Sequence, residues 1–297
     1  MSDAIEMVFE GRRRDLGGFQ VGRVLPYAKR RMVGPFIFLD HRGPVMFPPG
    51  EAIDVRPHPH IGLATVTYLF SGEIFHRDSL GTHQAIRPGD VNWMVAGRGI
   101  VHSERATPEV RAAGQTMHGI QSWVALPREH EDTAPRFAHH PSTTLPLIER
   151  GGARLRVIAG HAFGQRSPAQ VFSDTLYVDA DVAAGGRIEL APEHAERAVY
   201  VAIGELLVDG ERIPAGTMAV LKPEAVVTIA AEAPARAMLV GGAAMDGPRL
   251  IWWNLVASDQ ARIDQAKADW AGAAAAGWHG RFGMPPDESE FIPLPEA

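Results

Sequence analysis

Four side chains in two closely spaced pairs carry the clearest chemical potential of this sequence. His58 and His60 lie in Arg56-Pro57-His58-Pro59-His60, and His102 and Glu104 lie in Gly99-Ile100-Val101-His102-Ser103-Glu104. Successive side chains alternate faces in an extended chain, so each i, i+2 pair points to one side. Pro57 and Pro59 favour extended geometry and donate no backbone hydrogen bond, which holds the first pair splayed on one face. If the two segments lie side by side, three imidazoles and one carboxylate converge on one point. A buried hydrogen-bonded His–Glu cluster is the plain structural alternative.

The sequence contains no cysteine, so thiolate zinc sites, disulfides and cysteine nucleophiles are excluded. Any metal is therefore held by nitrogen and oxygen. Such a donor set suits one divalent ion of Fe, Mn, Ni, Cu or Zn, and an octahedral ion with four protein ligands keeps two positions for a substrate and dioxygen. His76, His83, His130, His139, His140, His161, His194 and His279 are expected to be hydrogen-bonded or surface residues.

The bulk numbers narrow the function classes. A chain of 297 residues, 45% hydrophobic and 22% charged, is long enough for two ordinary domains or one large one, with a real core. A net charge of -6 gives no basic footprint, and Arg12-Arg13-Arg14 and Lys29-Arg30-Arg31 read as solvated surface, so direct nucleic-acid binding is not expected. The segment Met1-Ser2-Asp3-Ala4-Ile5-Glu6 lacks the pattern of a secretory signal, and no apolar run approaches the roughly 20 residues of a membrane span. A cytoplasmic protein without membrane association is expected.

The elements that must position the four residues are short strands. Gly34 to Pro44 reads as a strand and turn, and from residue 63 strand-like runs at 63–70, 73–80, 84–87, 91–96, 100–104 and 119–126 are separated by glycine- or proline-containing turns. That rhythm predicts a sandwich or barrel of antiparallel strands. Residues 127–145, rich in proline, histidine and charge, read as a linker. The rhythm resumes at 175–180, 186–190, 198–203, 205–208 and 217–221. A loose alignment of Pro88-Gly89 with Ala215-Gly216 sets Ile229 opposite His102, which suggests two similar barrels of which one kept a metal site. Near the end, Ser258 is the expected N-cap of a helix with Ile263, Ala266 and Trp270 on one face, stopped by Gly272. The acidic, proline-rich stretch beyond Met284 is expected to be extended and strapped down by Phe291 and Ile292.

The motifs also carry a resemblance. His58-Pro59-His60-Ile61-Gly62, Thr65-Val66-Thr67-Tyr68, His76-Arg77-Asp78-Ser79, Pro88-Gly89-Asp90-Val91, Trp93-Met94, Ala96-Gly97-Arg98-Gly99-Ile100, His102-Ser103-Glu104 and His118-Gly119-Ile120-Gln121-Ser122-Trp123-Val124, with the segment from Gly241-Gly242 to Asn254, resemble the pirin family of the cupin superfamily. The resemblance implies an all-β fold of two tandem cupin (double-stranded β-helix, jelly-roll) barrels with a C-terminal helix and extended tail. The expected boundaries are residues 1–135 for the metal-binding barrel, 136–257 for a barrel lacking metal ligands, and 258–297 for the helix and tail. It also implies His58, His60, His102 and Glu104 as ligands of one ion, Fe(II) first among the metals. Two departures stand out: Ala64 and Ser122 occupy positions where the family usually has Glu and Leu.

For function, the resemblance implies a quercetin 2,3-dioxygenase type of activity on a flavonol or similar small molecule with dioxygen, Glu104 doubling as general base. His118, Gln121, Trp93 and Met94 are the candidate pocket residues. The alternative it implies is a non-enzymatic metal- or redox-sensing regulator that binds a transcription factor or metabolic enzyme.

Overall fold

A computed structural model describes residues 2–15 and 19–296; residues 1, 16–18 and 297, the last ending the expected tail, lie outside the described residues. Two compact units divide the chain: residues 42–139 with 246–297, called here the first barrel, and residues 1–41 with 140–245, the second.

In the first barrel the ligand-bearing segments are neighbours. Val55–His60 and Ile100–Arg105 pair antiparallel with His102 opposite His58, and the register shifts between His102 and Glu104. On its other edge Ile100–Arg105 pairs with Ile74–Asp78, which sets His102 opposite Asp78 and Glu104 opposite His76. His83–Ile86 completes this sheet. A second sheet places Leu63–Ser71 between Val91–Val95 and Gln115–Ala125. Arg136–His140 flanks Val91–Val95, so part of the proline-rich stretch read as a linker is a paired strand. Pro135 and Pro141 flank this strand without interrupting it, so all five of its residues keep their backbone amides for pairing.

Two glycines set the turns beside the ligands. Gly62, at φ +67°, follows His60 and Ile61 where the chain turns back, and a Cβ there would sit 2.0 Å from the Val256 carbonyl oxygen. Gly97, at φ +50°, precedes the His102 strand, and its Cβ would meet the Thr133 carbonyl oxygen at 2.0 Å. Only a residue without Cβ fits these positions.

The outer face of the ligand strands is packed by the C-terminal helix. Gln260–Ala273 buries Ile263, Ala266, Trp270 and Ala273 in one cluster with Ile61, Val101, Leu255 and Phe282. The N-cap is Asp259, whose side chain accepts from the Arg262 amide, while Ser258 Oγ donates to Glu131 Oε2. Both residue types cap well, and only the tertiary partner Glu131 separates them. Gly272 lies inside the helix, which runs one residue further. The tail is strapped as expected: the Ile292 amide donates to Pro57 O, Trp270 Nε1 donates to Ile292 O, and Phe291 packs on Trp270 and Trp278. Among the described residues no helix is long and apolar enough to cross a membrane.

The second barrel has one sheet containing, in order, Ile5–Glu10, Thr217–Leu221, Glu196–Ile203, Ala235–Gly242, Thr175–Val182, Ala153–Ala162 and Leu147–Arg150, and another of four short strands. Its core is hydrocarbon: Leu155, Val157, Leu176, Val178, Val199, Val201 and Leu239 pack with Ile229, the residue the internal repeat sets opposite His102. Aliphatic packing at that point stabilises the barrel by about 25 cal/mol per Å² of apolar surface removed from water and leaves no donor there.

Candidate metal centre

Three imidazoles meet inside the first barrel. Donor nitrogens of His58, His60 and His102 all lie within 4.8 Å of one another, and all three residues are buried. Ring centroids are 4.4 Å apart for His58 and His102 and 5.0 Å for His60 with either neighbour.

The other ring nitrogens fix which atoms face the centre. His58 Nδ1 lies 2.8 Å from Arg56 O, and His60 Nδ1 lies 2.9 Å from Asn254 O. A carbonyl oxygen only accepts, so both Nδ1 atoms donate. Burial pushes the His58 pKa below the ordinary 6.5, and pushes those of His60 and His102 well below it, the last two lowered further by the neighbouring imidazoles. Neutral rings with protonated Nδ1 present Nε2 as a lone pair. His60 Nε2 is 3.1 Å from His102 Nε2. That is hydrogen-bond distance, so either His102 donates an Nε2 proton to the His60 lone pair or a metal ion is shared between the two nitrogens. His102 in turn has His76 at its back: the two Nδ1 atoms are 3.4 Å apart, and His76 Nε2 donates to Asp78 Oδ2 at 2.9 Å. Asp78 is itself pinned, its Oδ1 accepting from the amides of Leu80 and Thr82. Such partners orient ligand rings and tune metal affinity.

The residues therefore fit a divalent metal ion, with Nε2 of His58, His60 and His102 as its donors. Glu104 stands outside the three-imidazole cluster. It is buried, and its Oε2 accepts from Arg42 Nη1 at 2.8 Å. Arg42 comes from the strand Phe36–Phe47, within the run expected to be a strand and turn.

The other expected residues are buried in the sheets. Trp93 and Met94 pair opposite Val66 and Thr65, and the Trp93 indole nitrogen has no partner among the described residues. Gln121 Oε1 accepts from Thr67 Oγ1 at 3.0 Å, and His118 packs edge-on against Phe70. Ala64, fully buried, pairs with Val95 and Val124, and Ser122 pairs with Val66. Sequence reading misses Arg42, Asn254, Trp123 and His76. Trp123 lies edge-on to His60 at 5.3 Å, and His76, expected to be an ordinary histidine, is the neighbour of His102. The strand pairing that sets His76 opposite Glu104 is the signal that would have found it.

A second group of potential donors, His161, Glu193 and His194, occurs in the second barrel. There both ring nitrogens of His194 already face acceptors, Asp174 Oδ2 at 2.7 Å and His161 O at 3.0 Å.

Known proteins resemble this chain in sequence and fold. A family model described as Pirin matches residues 18–124, and one described as Pirin C-terminal cupin domain matches residues 177–275. The chain belongs to the pirin family. This pirin is 50% identical over 296 residues to a pirin-like protein of Caulobacter vibrioides, covering 98% of this chain and 100% of the relative. It is similar to the crystal structure of a quercetin 2,3-dioxygenase from Acinetobacter baumannii, at TM-score 0.89 and 35% identity over 98% of this chain and 95% of that one. The Escherichia coli pirin YhhW, solved in complex with nickel(II), shares the fold at TM-score 0.64 and 17% identity, covering 80% of this chain and 100% of that chain. The expected pair of cupin barrels with one C-terminal helix is thus the architecture of this pirin.

Proposed function

We propose that this pirin is a mononuclear metal-dependent dioxygenase of the quercetin 2,3-dioxygenase type, acting on a flavonol or a similar oxygenated small molecule. The convergence of three buried imidazoles carries the reading, and the likeness to the Acinetobacter baumannii enzyme supports the reaction class. In the proposal His58, His60 and His102 hold one Fe(II) ion per chain, Glu104 is the fourth ligand, and the second barrel holds none. When bound, a divalent ion lowers the pKa of a coordinated hydroxyl and brings two reactants together.

The protein's part is orientation and proton handling. Backbone carbonyls of Arg56 and Asn254 fix His58 and His60, and the Asp78–His76 pair backs His102. Glu104, with Oε2 engaged by Arg42, takes the proton of the substrate hydroxyl on Oε1. Burial keeps bulk water from the reacting atoms, which strengthens each electrostatic contact made there.

Oxygen uptake with quercetin tests the reading. Iron-loaded protein is expected to consume dioxygen well above an equal concentration of free iron, and His58→Ala is expected to lose that excess. Uptake no greater than that of free iron contradicts the activity.

A further inference from the structure

The carbonyl that orients His60 is delivered by a strained turn. Leu250–Trp252 and Leu255–Ala257 pair antiparallel with Trp252 opposite Leu255, which leaves Trp253 and Asn254 as a two-residue loop. Loops of that length match the strand twist when the first residue, or both, take positive φ. Trp253 sits at φ +51°, whereas Asn254 is not among the positive-φ residues. A turn with positive φ at its first position alone ordinarily carries glycine there, and a bulky side chain in that conformation is an outlier. Such a residue persists only where its surroundings over-determine it.

The surroundings of Trp253 are the back of the metal centre. Its side chain packs against the apolar cluster that holds Ile61, Val101, Leu255, Ile263 and Trp270, and Ile61 and Val101 are the chain neighbours of His60 and His102. Trp252 lies edge-on to Trp253 at 6.2 Å, with Lys267 Nζ of the C-terminal helix 4.4 Å from the Trp252 ring centre. The backbone is tied down alongside: Leu255 bridges Ile61, and the Val256 amide donates to Ile61 O at 3.3 Å. Held so, the loop brings Asn254 O to 2.9 Å from His60 Nδ1, across 194 positions of sequence.

Glycine would form this turn at no steric cost, so the turn alone does not account for tryptophan. What the indole adds is its seat in the cluster. A loop pivoting on glycine is free to swing the Asn254 carbonyl away. Without that acceptor the His60 proton is free to sit on either ring nitrogen, and a neutral ring protonated at Nε2 has no lone pair there to give a metal.

We propose that Trp253 is a positioning residue for the metal centre: its side chain, seated in the cluster, holds the loop so that the Asn254 carbonyl selects the His60 tautomer whose Nε2 lone pair faces the site. The consequence for metal rests on the proposed metal centre, while the tautomer is read without any ion.

Nitrogen-15 NMR of the metal-free protein at pH 7.5 is the first measurement. Wild-type His60 is expected to be a single tautomer protonated at Nδ1; a proton on Nε2 instead overturns the proposal with no variant needed. Trp253→Gly is expected to show both tautomers and to bind nickel roughly 10- to 100-fold more weakly. Trp253→Phe, which refills the seat, is expected to restore the single tautomer and most of the affinity. Ile263→Val thins the same cluster from the helix side, and is expected to lower the melting temperature while leaving the His60 tautomer and nickel affinity as in the wild type. A wild-type tautomer in Trp253→Gly, or an equal loss of nickel affinity in Ile263→Val, overturns the proposal. Wild-type protein that takes up no nickel fails the metal reading instead, and leaves the tautomer result standing.

Discussion

His60 Nε2 and His102 Nε2 face each other at 3.1 Å in the interior of the first barrel. The His60 atom carries a lone pair, because its Nδ1 proton is given to the Asn254 carbonyl, so it must meet either an Nε2 proton of His102 or a metal ion shared by the two rings. The groups that enforce this requirement govern how the protein responds to substitution, acid and metal.

His76 acts on metal through His102. Replacing it with Phe keeps the stack on Phe137 but removes the partner of His102 Nδ1. Metal affinity is expected to fall roughly 10- to 100-fold, the usual effect of losing such a partner. Equilibrium titration with nickel measures this; an unchanged dissociation constant removes His76 from the account.

Acid is expected to unfold the metal-free protein more readily than its fold alone would predict. Burial holds the pKa values of His60 and His102 well below 6.5, so below pH 6.5 the unfolded chain binds protons that the folded chain refuses. Stability therefore drops as pH falls beneath 6.5, by up to about 1.4 kcal/mol per ring for each pH unit until the folded-state pKa is reached. Above 6.5 these rings contribute no slope. Urea unfolding at pH 7.5, 6.5 and 5.5 checks the sign, and the double variant His60→Phe/His102→Phe is expected to flatten the dependence.

Glu288 is the tail's anchor behind the ligand strand. Its carboxylate accepts from Ser103 Oγ at 2.6 Å, between His102 and Glu104 in sequence, and from Arg105 Nε and Nη2 at 3.1 and 2.6 Å. Glu288→Ala leaves Arg105 short of its main partner and is expected to cost roughly 3 kcal/mol in stability and to loosen metal binding. Denaturant unfolding with a parallel nickel titration reads both. A variant of wild-type stability contradicts the anchoring role.

Gly62→Ala is expected to be severe. The added Cβ meets Val256 O at 2.0 Å and the backbone sits at positive φ, so both a clash and strain arise next to His60. Loss of soluble expression or a marked fall in melting temperature is the predicted outcome; a wild-type melting curve contradicts the turn assignment.

Much of the fold is legible in the sequence for physical reasons. Turn glycines and alternating patterns place strands such as Leu63–Ser71, Val91–Val95, Glu205–Val208 and Thr217–Leu221 within a residue or two of where they lie. The spacing of His58, His60 and His102 suffices to bring their rings together, because period-two geometry is local and the strands pair directly. What escapes is tertiary. Asn254 offers only a backbone carbonyl to His60, which any residue type could supply, so its identity carries no signal. Arg42 reaches Glu104 across 62 positions, and no local pattern encodes that contact. Asp259 rather than Ser258 caps the last helix because Glu131, far upstream, occupies the serine hydroxyl.

The most direct test of the central claim is metal stoichiometry. Elemental analysis of the purified protein, repeated on His102→Ala, is expected to find one transition-metal ion per chain in the first case and almost none in the second. Full stoichiometry in the variant, or a wild-type protein that takes up no ion from nickel, iron or zinc, would contradict the assignment of His58, His60 and His102 as its donors.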